Sequence, residues 1–195
     1  MESQDKRFDR RSILKCAAML GGLHLGGIDG SPALAASQDD AGSARPKEGD
    51  VLVRIENGVP VPLSPMDVPE RSAPLLVWAM DPATRAVRNG SRLNQIIVMR
   101  FEPGELAART RTRSADGVVA YTAICTHGGC EVVDWLADEK ALSCSCHSSL
   151  FDPADEATVI SGPAPRPLPA LPLAVKDRSL VVAAPFTSTV SFESA

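Results

Sequence analysis

Two short segments of the chain concentrate its cysteine and histidine residues. Residues 125–130 read CTHGGC, and residues 144–149 read CSCHSS. The whole sequence has five cysteines and three histidines, and these two segments contain four of the cysteines and two of the histidines. Thiolate sulfur and imidazole nitrogen are both common ligands of transition metals. The two segments together are therefore predicted to form a metal centre.

The order of the donors allows two kinds of metal site. Each segment offers a cysteine and a histidine close together, as Cys-x-His in the first and Cys-x-x-His in the second. Two cysteines and two histidines can bind zinc tetrahedrally, but Cys130 and Cys146 would then have no role. They can also hold a [2Fe–2S] cluster, with two thiolates on one iron and two imidazoles on the other. In that arrangement Cys130 and Cys146 are free to bridge the two segments, in a compartment where a disulfide persists.

Both segments resemble the cluster-binding loops of Rieske iron–sulfur proteins, which usually read CTHxGC and CPCHGS. The resemblance implies a [2Fe–2S] cofactor held by two sulfur and two nitrogen ligands. The ligands that it implies are Cys125, His127, Cys144 and His147. It also implies a disulfide between Cys130 and Cys146, as in the high-potential branch of the family.

A third segment and one serine also match the family's pattern. Residues 162–165 read GPAP, which is similar to the proline-rich loop that covers the cluster in Rieske proteins. The resemblance makes Gly162, Pro163 and Pro165 the shielding residues. Ser149 matches a serine whose hydroxyl donates a hydrogen bond to a bridging sulfide of the cluster. It is therefore expected to contribute to cofactor binding.

Four positions depart from the family's usual residues. Gly128 stands where quinol-oxidising members usually have a leucine that packs at the docking tip, so quinone docking is not expected here. Ser145 and Ser148 replace the usual proline and glycine of the second segment. Phe151 stands where high-potential members have a tyrosine that donates to a ligand sulfur. One of two potential-raising hydrogen bonds should therefore be missing.

The elements that must position these loops are predicted to be short strands. The candidates are apolar, rich in β-branched residues and bounded by turn residues. They are residues 51–55, 75–80, 96–101, 118–124, 168–175 and 180–184. One helical patch is predicted at 103–111. Because strands and helices do not alternate, the expected class is all-β, an antiparallel β-sandwich or small barrel. The resemblance adds a cluster-binding subdomain of two loops and a proline-rich loop.

The chain divides into three predicted parts: an export signal at 1–36, a flexible linker at 37–50 and the Rieske-type domain at 51–190. Arg10 and Arg11 lie in a segment, DRRSILK, that resembles the twin-arginine signal, which exports proteins already folded around their cofactors. Small residues around Ala35 follow, as signal peptidase requires. Cleavage there would release the protein into the periplasm. An uncleaved segment would instead keep it at the membrane, which is the only membrane association expected.

Composition and length argue against several other classes. The net charge is −4, whereas nucleic-acid binders usually carry a basic face. No stretch of the chain reaches 18 consecutive apolar residues, so a protein with several membrane spans is not expected. A Rieske oxygenase needs a large catalytic domain, which 195 residues are not expected to hold. No independent catalytic site is apparent, so the chain is either an electron carrier or the iron–sulfur subunit of an oxidoreductase.

Three functions remain compatible with the sequence. The first is a subunit or partner that takes electrons from a periplasmic dehydrogenase or oxidase and passes them to a c-type cytochrome. The second is the quinol-oxidising subunit of a cytochrome bc-type complex, for which residues 37–50 could serve as a hinge. The third is a structural module that binds zinc. The first is favoured because Gly128 does not suit quinone docking.

Overall fold

The computed structural model describes residues 38–193, which form two antiparallel β-sheets with little helix. The strands are β1 (Val51–Glu56), β2 (Val59–Pro62), β3 (Leu75–Met80), β4 (Ile96–Arg100), β5 (Val118–Thr122), β6 (Asp134–Leu136), β7 (Ala141–Cys144), β8 (Ser149–Asp152), β9 (Thr158–Ser161), β10 (Leu173–Lys176) and β11 (Ser179–Val182). The helices are α1 (Gln38–Ser43) and α2 (Ala108–Arg111), with 3-10 turns at Pro65–Asp67 and Arg92–Asn94. The predicted all-β antiparallel class is confirmed.

Seven strands form the larger sheet and four form the smaller one. The larger sheet has the order β10-β11-β1-β3-β4-β5, and β2 pairs with β1. The smaller sheet has the order β6-β7-β8-β9, so its neighbouring strands are also consecutive in the sequence. Short turns therefore connect its strands, and the turn between β7 and β8 brings the second Cys/His segment to the end of this sheet.

The strands β4 and β5 are covered on both faces. Successive side chains of a strand point to opposite faces. Ile96 and Val98 of β4 accordingly belong to one buried core, within the larger sheet, whereas Ile97 and Met99 belong to a second core. The second core also contains residues of the smaller sheet, including Phe151. An unbroken apolar run such as that of β4 is typical of a strand buried in this way.

Five of the six predicted strand regions coincide with observed strands to within two residues at each end. The sixth, 168–175, is wrong in its first part, because β10 begins only at Leu173. Pro169 and Pro172 lie in that first part, and proline has no N–H to donate to a sheet. The helical patch predicted at 103–111 is a single turn, α2. β2 and all four strands of the smaller sheet are additional to the prediction.

Residues 41–50 are bonded to the domain, although the sequence predicts a flexible linker there. The Arg88 guanidinium donates to the Asp50 carboxylate at 2.9 Å, and both side chains are buried. The Gly90 N–H donates to the Gly42 carbonyl at 3.0 Å. The buried Asn94 side chain donates to the Ala44 carbonyl at 2.8 Å. This part of the predicted linker is held against the connection between β3 and β4.

The predicted export signal, residues 1–36, lies outside the described residues. Its role and its boundary with the linker stay predictions. Within residues 38–193, no helix is both long enough and apolar enough to cross a membrane.

Candidate metal centre

The first Cys/His segment is a tight loop that follows β5. Its two ends meet because the Cys125 N–H donates to the Cys130 carbonyl at 2.8 Å. The Gly129 N–H donates to the Cys125 carbonyl at 3.0 Å, which closes a turn inside the loop. Gly129 has a φ of +72°, a left-handed conformation that glycine adopts without strain. The loop thus presents His127 and Gly128 at its outer end, where both are partly exposed.

The second segment is the turn between β7 and β8. Cys144 ends β7 and pairs with Ser149, which begins β8. The Ser148 N–H donates to the Cys144 carbonyl at 2.9 Å, so the four residues between the paired ends form a compact turn. Cys144 and Ser149 are buried, whereas His147 is exposed. The smaller sheet therefore buries a thiol and a hydroxyl at the base of the turn and leaves the imidazole outside.

The predicted disulfide between Cys130 and Cys146 is confirmed. Their sulfurs are 2.04 Å apart and their Cα atoms are 6.4 Å apart. The Cys144 sulfur lies within 4.8 Å of both bonded sulfurs. Because Cys130 and Cys146 are bonded to each other, neither is available as a thiolate ligand. The bridge leaves Cys125 and Cys144 as the free cysteines of the described residues.

The four predicted ligand residues form two pairs, each with one member on either loop. Cys125 and Cys144 are buried and belong to the same core cluster. Burial raises the pKa of the Cys144 thiol, and the neighbouring Cys125 thiol raises it further. The rings of His127 and His147 meet edge to face, with their centroids 4.6 Å apart. Two sulfur donors thus lie inside the protein and two imidazoles lie toward its surface.

The chemistry of this donor set suits a metal centre with mixed ligands. The Nδ1 atom of His127 is buried and has no hydrogen-bond partner among the described residues. A buried polar atom without a partner is unfavourable, and a metal ion that accepts the nitrogen lone pair would remove that cost. The Cys144 thiol, whose pKa is raised by burial, is likewise hard to ionise unless a cation is bound to it. The residues present therefore fit a two-iron cluster.

The predicted proline-rich loop lies against the second Cys/His loop. The Ala164 N–H donates to the Ser149 hydroxyl at 3.1 Å, and both residues are buried. Gly162 has a φ of +90°, and a Cβ atom there would lie only 2.5 Å from the Ser149 Cα. Only glycine allows this approach. Pro163 and Pro165 are exposed on the outside of the loop, and their shielding role stays a prediction.

Known proteins with similar sequences identify the family. A family model described as a Rieske [2Fe-2S] domain matches residues 78–172. The chain is also 33% identical over 141 residues to the cytochrome bc1 complex Rieske iron-sulfur subunit of Streptomyces lividans, an alignment that covers 70% of this chain and 80% of that protein. The chain belongs to the Rieske [2Fe–2S] family.

Two further proteins are similar to this Rieske chain over shorter regions. The putative respiratory nitrate reductase subunit Rieske of Haloferax mediterranei is 42% identical over 67 residues, covering 34% of this chain and 30% of that protein. The crystal structure of the plasma membrane Rieske protein PetC3 from Synechocystis PCC 6803 is 23% identical, with a TM-score of 0.36, and covers 56% of this chain and 86% of that chain. The chain thus spans less than a third of the Haloferax relative.

Membership of the Rieske family decides between the zinc site and the [2Fe–2S] cluster, both of which the donor spacing allowed. A Rieske domain binds a [2Fe–2S] cluster, so this cluster is the cofactor of the chain. The Cys130–Cys146 bridge, for which the zinc site had no role, agrees with the disulfide of the family's high-potential branch. The zinc-binding structural module is therefore set aside.

Several residues around the centre were not apparent from the sequence. The Thr126 hydroxyl donates to the Arg166 carbonyl at 2.7 Å, which joins the first loop to the proline-rich loop. Arg92 donates to the Gly129 carbonyl, and the Phe192 ring lies against Gly129. These contacts join residues far apart in the chain. The one available signal was the apolar Phe192 within a polar carboxyl-terminal segment.

The Cys130–Cys146 bridge is expected to stabilise both loops. The two cysteines are 16 residues apart, and closing a loop of that length stabilises the folded state by on the order of 3 kcal/mol in the chain-entropy view. Cys130→Ser should therefore lower the free energy of unfolding and speed the loss of the cluster's visible absorbance in the presence of a chelator. Ser145→Ala, an exposed change in the same loop, is the control. Equal rates of cluster loss in both variants would contradict this role.

Proposed function

We propose that Cys125, His127, Cys144 and His147 hold the [2Fe–2S] cluster and that the chain carries one electron at a time. The observation that carries this proposal is that two buried free thiols and the unpaired Nδ1 atom of His127 lie on the two loops that the Cys130–Cys146 bridge joins. The bound cluster supplies one-electron chemistry, at a potential that imidazole ligation raises. The exposed ring of His147 is the point at which a partner can approach most closely.

Ser149 is proposed to tune the potential of this centre. Its hydroxyl oxygen accepts the Ala164 N–H, and no acceptor for its own proton is found among residues 38–193. That proton can therefore be donated to a sulfur of the bound cluster. A hydrogen bond of this kind stabilises the reduced state, because its sulfurs carry more negative charge. Phe151 is fully buried in the core and has no hydroxyl to add a second such bond.

Changes at these two positions should shift the potential in opposite directions. Ser149→Ala should lower it and Phe151→Tyr should raise it. A hydrogen bond to a charged group contributes about 1.5–3 kcal/mol in full, and for one electron about 59 mV corresponds to about 1.4 kcal/mol. Shifts of about that size are expected in protein-film voltammetry. An unchanged potential in Phe151→Tyr, in a protein whose new hydroxyl reaches the Cys125 or Cys144 sulfur, would refute this tuning.

The partner is proposed to be a protein, with electrons passing from a periplasmic dehydrogenase or oxidase to a c-type cytochrome. The exposed residues around His147 and the proline-rich loop are small and carry no charge: Ser145, Ser148, Ser161, Gly162 and Pro163. A Cβ atom at Gly128 would have the His147 ring as its nearest neighbour, at 3.9 Å. Space for an apolar side chain thus exists at position 128, and glycine leaves it unfilled.

The described part of the linker also favours a protein partner over a quinol-oxidising complex with a swinging domain. Residues 41–50 are bonded to the domain by the buried Asp50–Arg88 pair and by backbone contacts. A hinge that lets the domain swing between two sites needs a free segment, and these ten residues do not offer one. The similarity to a protein named as a nitrate reductase subunit is compatible with a role beside another oxidoreductase.

The second candidate is the iron–sulfur subunit of a quinol-oxidising cytochrome bc-type complex. The Streptomyces lividans relative favours it, because that protein is named as a cytochrome bc1 complex subunit and is similar over 80% of its length. The two candidates differ in where electrons enter. Quinol donates them in the second, and a protein donates them in the first.

Membranes from a strain that lacks this gene distinguish the two candidates. If the chain serves a separate oxidoreductase, quinol-dependent reduction of cytochrome c by these membranes should equal that of wild-type membranes. In addition, the purified reduced protein should reduce a c-type cytochrome directly in stopped-flow measurements. Loss of the quinol-dependent activity in the deletion strain, restored by the wild-type gene, would contradict the first candidate and establish the second.

Export in the folded state is also proposed. Arg10 and Arg11 lie in the segment that resembles the twin-arginine signal. Replacing both with lysine should keep the protein in the cytoplasm, which fractionation and immunoblotting would show. Continued export of the variant would contradict the folded route. The mass of the exported wild-type protein decides between cleavage near Ala35 and a retained membrane anchor.

A further inference from the structure

The carboxyl-terminal segment crosses the outer side of the first cluster loop. We call residues 187–193 the strap. It begins where the Thr187 N–H donates to the Ala170 carbonyl at 2.8 Å, and it reaches the loop where the Glu193 N–H donates to the Thr126 carbonyl at 3.3 Å. The strap belongs to none of the strands. Val190 is its buried residue, so the segment adds little to the core.

Phe192 of the strap lies directly on Gly129 of the loop. A Cβ atom at position 129 would come within 2.6–2.8 Å of three Phe192 ring atoms, so the ring occupies the space that glycine leaves open. The guanidinium of Arg92 lies over the same ring, 5.8 Å from its centroid, and donates to the Gly129 carbonyl. A cation over an aromatic face is a favourable contact. Phe192 and Arg92 thus both contact Gly129, Phe192 through its ring and Arg92 through a hydrogen bond to the carbonyl.

Arg166 joins the strap to the other two loops. Its guanidinium donates to the Ser191 carbonyl at 2.8 Å and to the Thr189 carbonyl at 3.2 Å. Its own carbonyl accepts the Thr126 hydroxyl at 2.7 Å. Because Arg166 directly follows the proline-rich loop, one residue connects the strap, that loop and the first cluster loop.

We propose that the strap is a positioning element of the metal centre, with Phe192 and Arg92 as positioning residues. It acts through the Gly129 peptide to fix the loop that carries His127 and to keep water from that side of the loop. The inference rests on the proposed function, since it assumes that the loop holds the cluster. Residues that orient metal ligands from outside contribute to metal affinity even though they do not touch the metal.

The charge of Arg92 gives the strap a second effect. Reduction adds one negative charge to the centre, so a cation fixed at the loop favours the reduced state. Arg92 is held in place by its two contacts rather than free in solvent. Its removal should therefore lower the midpoint potential, and a lysine at the same position should restore most of the difference.

Four variants of the exported holoprotein test the proposal: Phe192→Ala, Phe192→Leu, Arg92→Ala and Arg92→Lys. Phe192→Ala should lose its cluster to a chelator roughly tenfold faster than wild type, the lower end of the effect of residues that orient metal ligands. Its reduced EPR spectrum should also shift in g values, because the His127 loop is no longer fixed. Phe192→Leu should restore both. Val175→Ala and Arg109→Ala, changes at exposed residues outside the strap, are the matched controls.

Unchanged EPR spectra, potentials and rates of cluster loss in Phe192→Ala and Arg92→Ala would overturn the proposal, even if both variants melt at lower temperature. That result would leave the strap with a structural role only. The iron and sulfide content of the wild-type protein separates this failure from a failure of the proposed function. A wild-type protein with two irons and two sulfides and strap variants without effect contradict only the positioning role.

Discussion

Replacing His147 with alanine is expected to abolish the mixed-ligand cluster while the larger sheet stays folded. His147 is exposed at the end of a turn and lies outside both buried cores. Its loss therefore removes one ligand from a centre with two nitrogen donors but creates no cavity in the protein. The variant should be purified with little iron or sulfide and without the low average g value of a Rieske centre. Its far-ultraviolet circular dichroism should match that of the wild-type protein.

Ser161→Ala is the matched control for this variant, because Ser161 is also exposed beside the loops and offers no ligand that the assignment uses. The control should retain full iron and sulfide content. Cys144→Ser should also lose the cluster, since it removes a buried sulfur donor. A His147→Ala protein with an unchanged cluster spectrum would show that the ligand assignment is wrong.

Of the substitutions proposed for this protein, removal of the Asp50 carboxylate is expected to lower the free energy of unfolding most. Asp50 and Arg88 are buried and joined by two hydrogen bonds. Removing Asp50 leaves the buried Arg88 charge with only its longer contact to the Asp81 carboxylate at 3.5 Å, and breaking a buried pair from one side costs up to about 3–5 kcal/mol. Asp50→Ala should therefore lower the free energy of unfolding by that amount in urea titrations. Glu56→Ala breaks the exposed pair with Arg54 and should cost at most about 1 kcal/mol.

The same variant tests whether residues 41–50 are fixed to the domain. The Gly90 N–H is bonded to the Gly42 carbonyl, so its amide exchange reports on this contact. Exchange at Gly90 should be faster in Asp50→Ala than in wild type, and Asp50→Ala/Arg88→Met should recover part of the lost stability. If Gly90 already exchanges at the rate of an unprotected amide in the wild type, these residues form a free linker, and the argument against a swinging domain fails.

The metal centre and the central strands could be predicted because their signals are local in the sequence. In each Cys/His segment the predicted cysteine and histidine ligands are at most three residues apart. Each segment also forms a single short loop. The strands β3, β4 and β5 are largely apolar runs, and the side chains of β4 and β5 are almost all buried. Such runs do not depend on which distant residues cover them. This is why their bounds agree with the prediction.

The strands of the smaller sheet were not predicted, because they are short and partly polar. β6 has three residues, and β7, β8 and β9 have four each. β6 alternates exposed and half-buried residues, and the last two residues of β9 are exposed. These strands form because each pairs with its sequence neighbour and because Leu142 and Phe151 enter the core. Neither contact is visible in a window of four residues.

The contacts of residues 41–50 and of the strap could not be predicted either, because the residues that they join are far apart in the sequence. Asp50 meets Arg88, which is 38 residues away. The strap meets the first cluster loop through Phe192 and Gly129, and a phenylalanine among serines and threonines does not reveal its partner. A composition rich in small and polar residues predicts flexibility, but a few specific contacts outweigh it here.

Nitrogen hyperfine spectroscopy of the reduced protein tests the central claim most directly. The chain has three histidines, one of which lies in the predicted signal segment. Protein labelled with ¹⁵N-histidine and cleaved near Ala35 should show two strongly coupled nitrogens, from His127 and His147, on a cluster with two irons and two sulfides. A reduced cluster without coupled histidine nitrogens, as in an all-cysteine ferredoxin, would contradict the account.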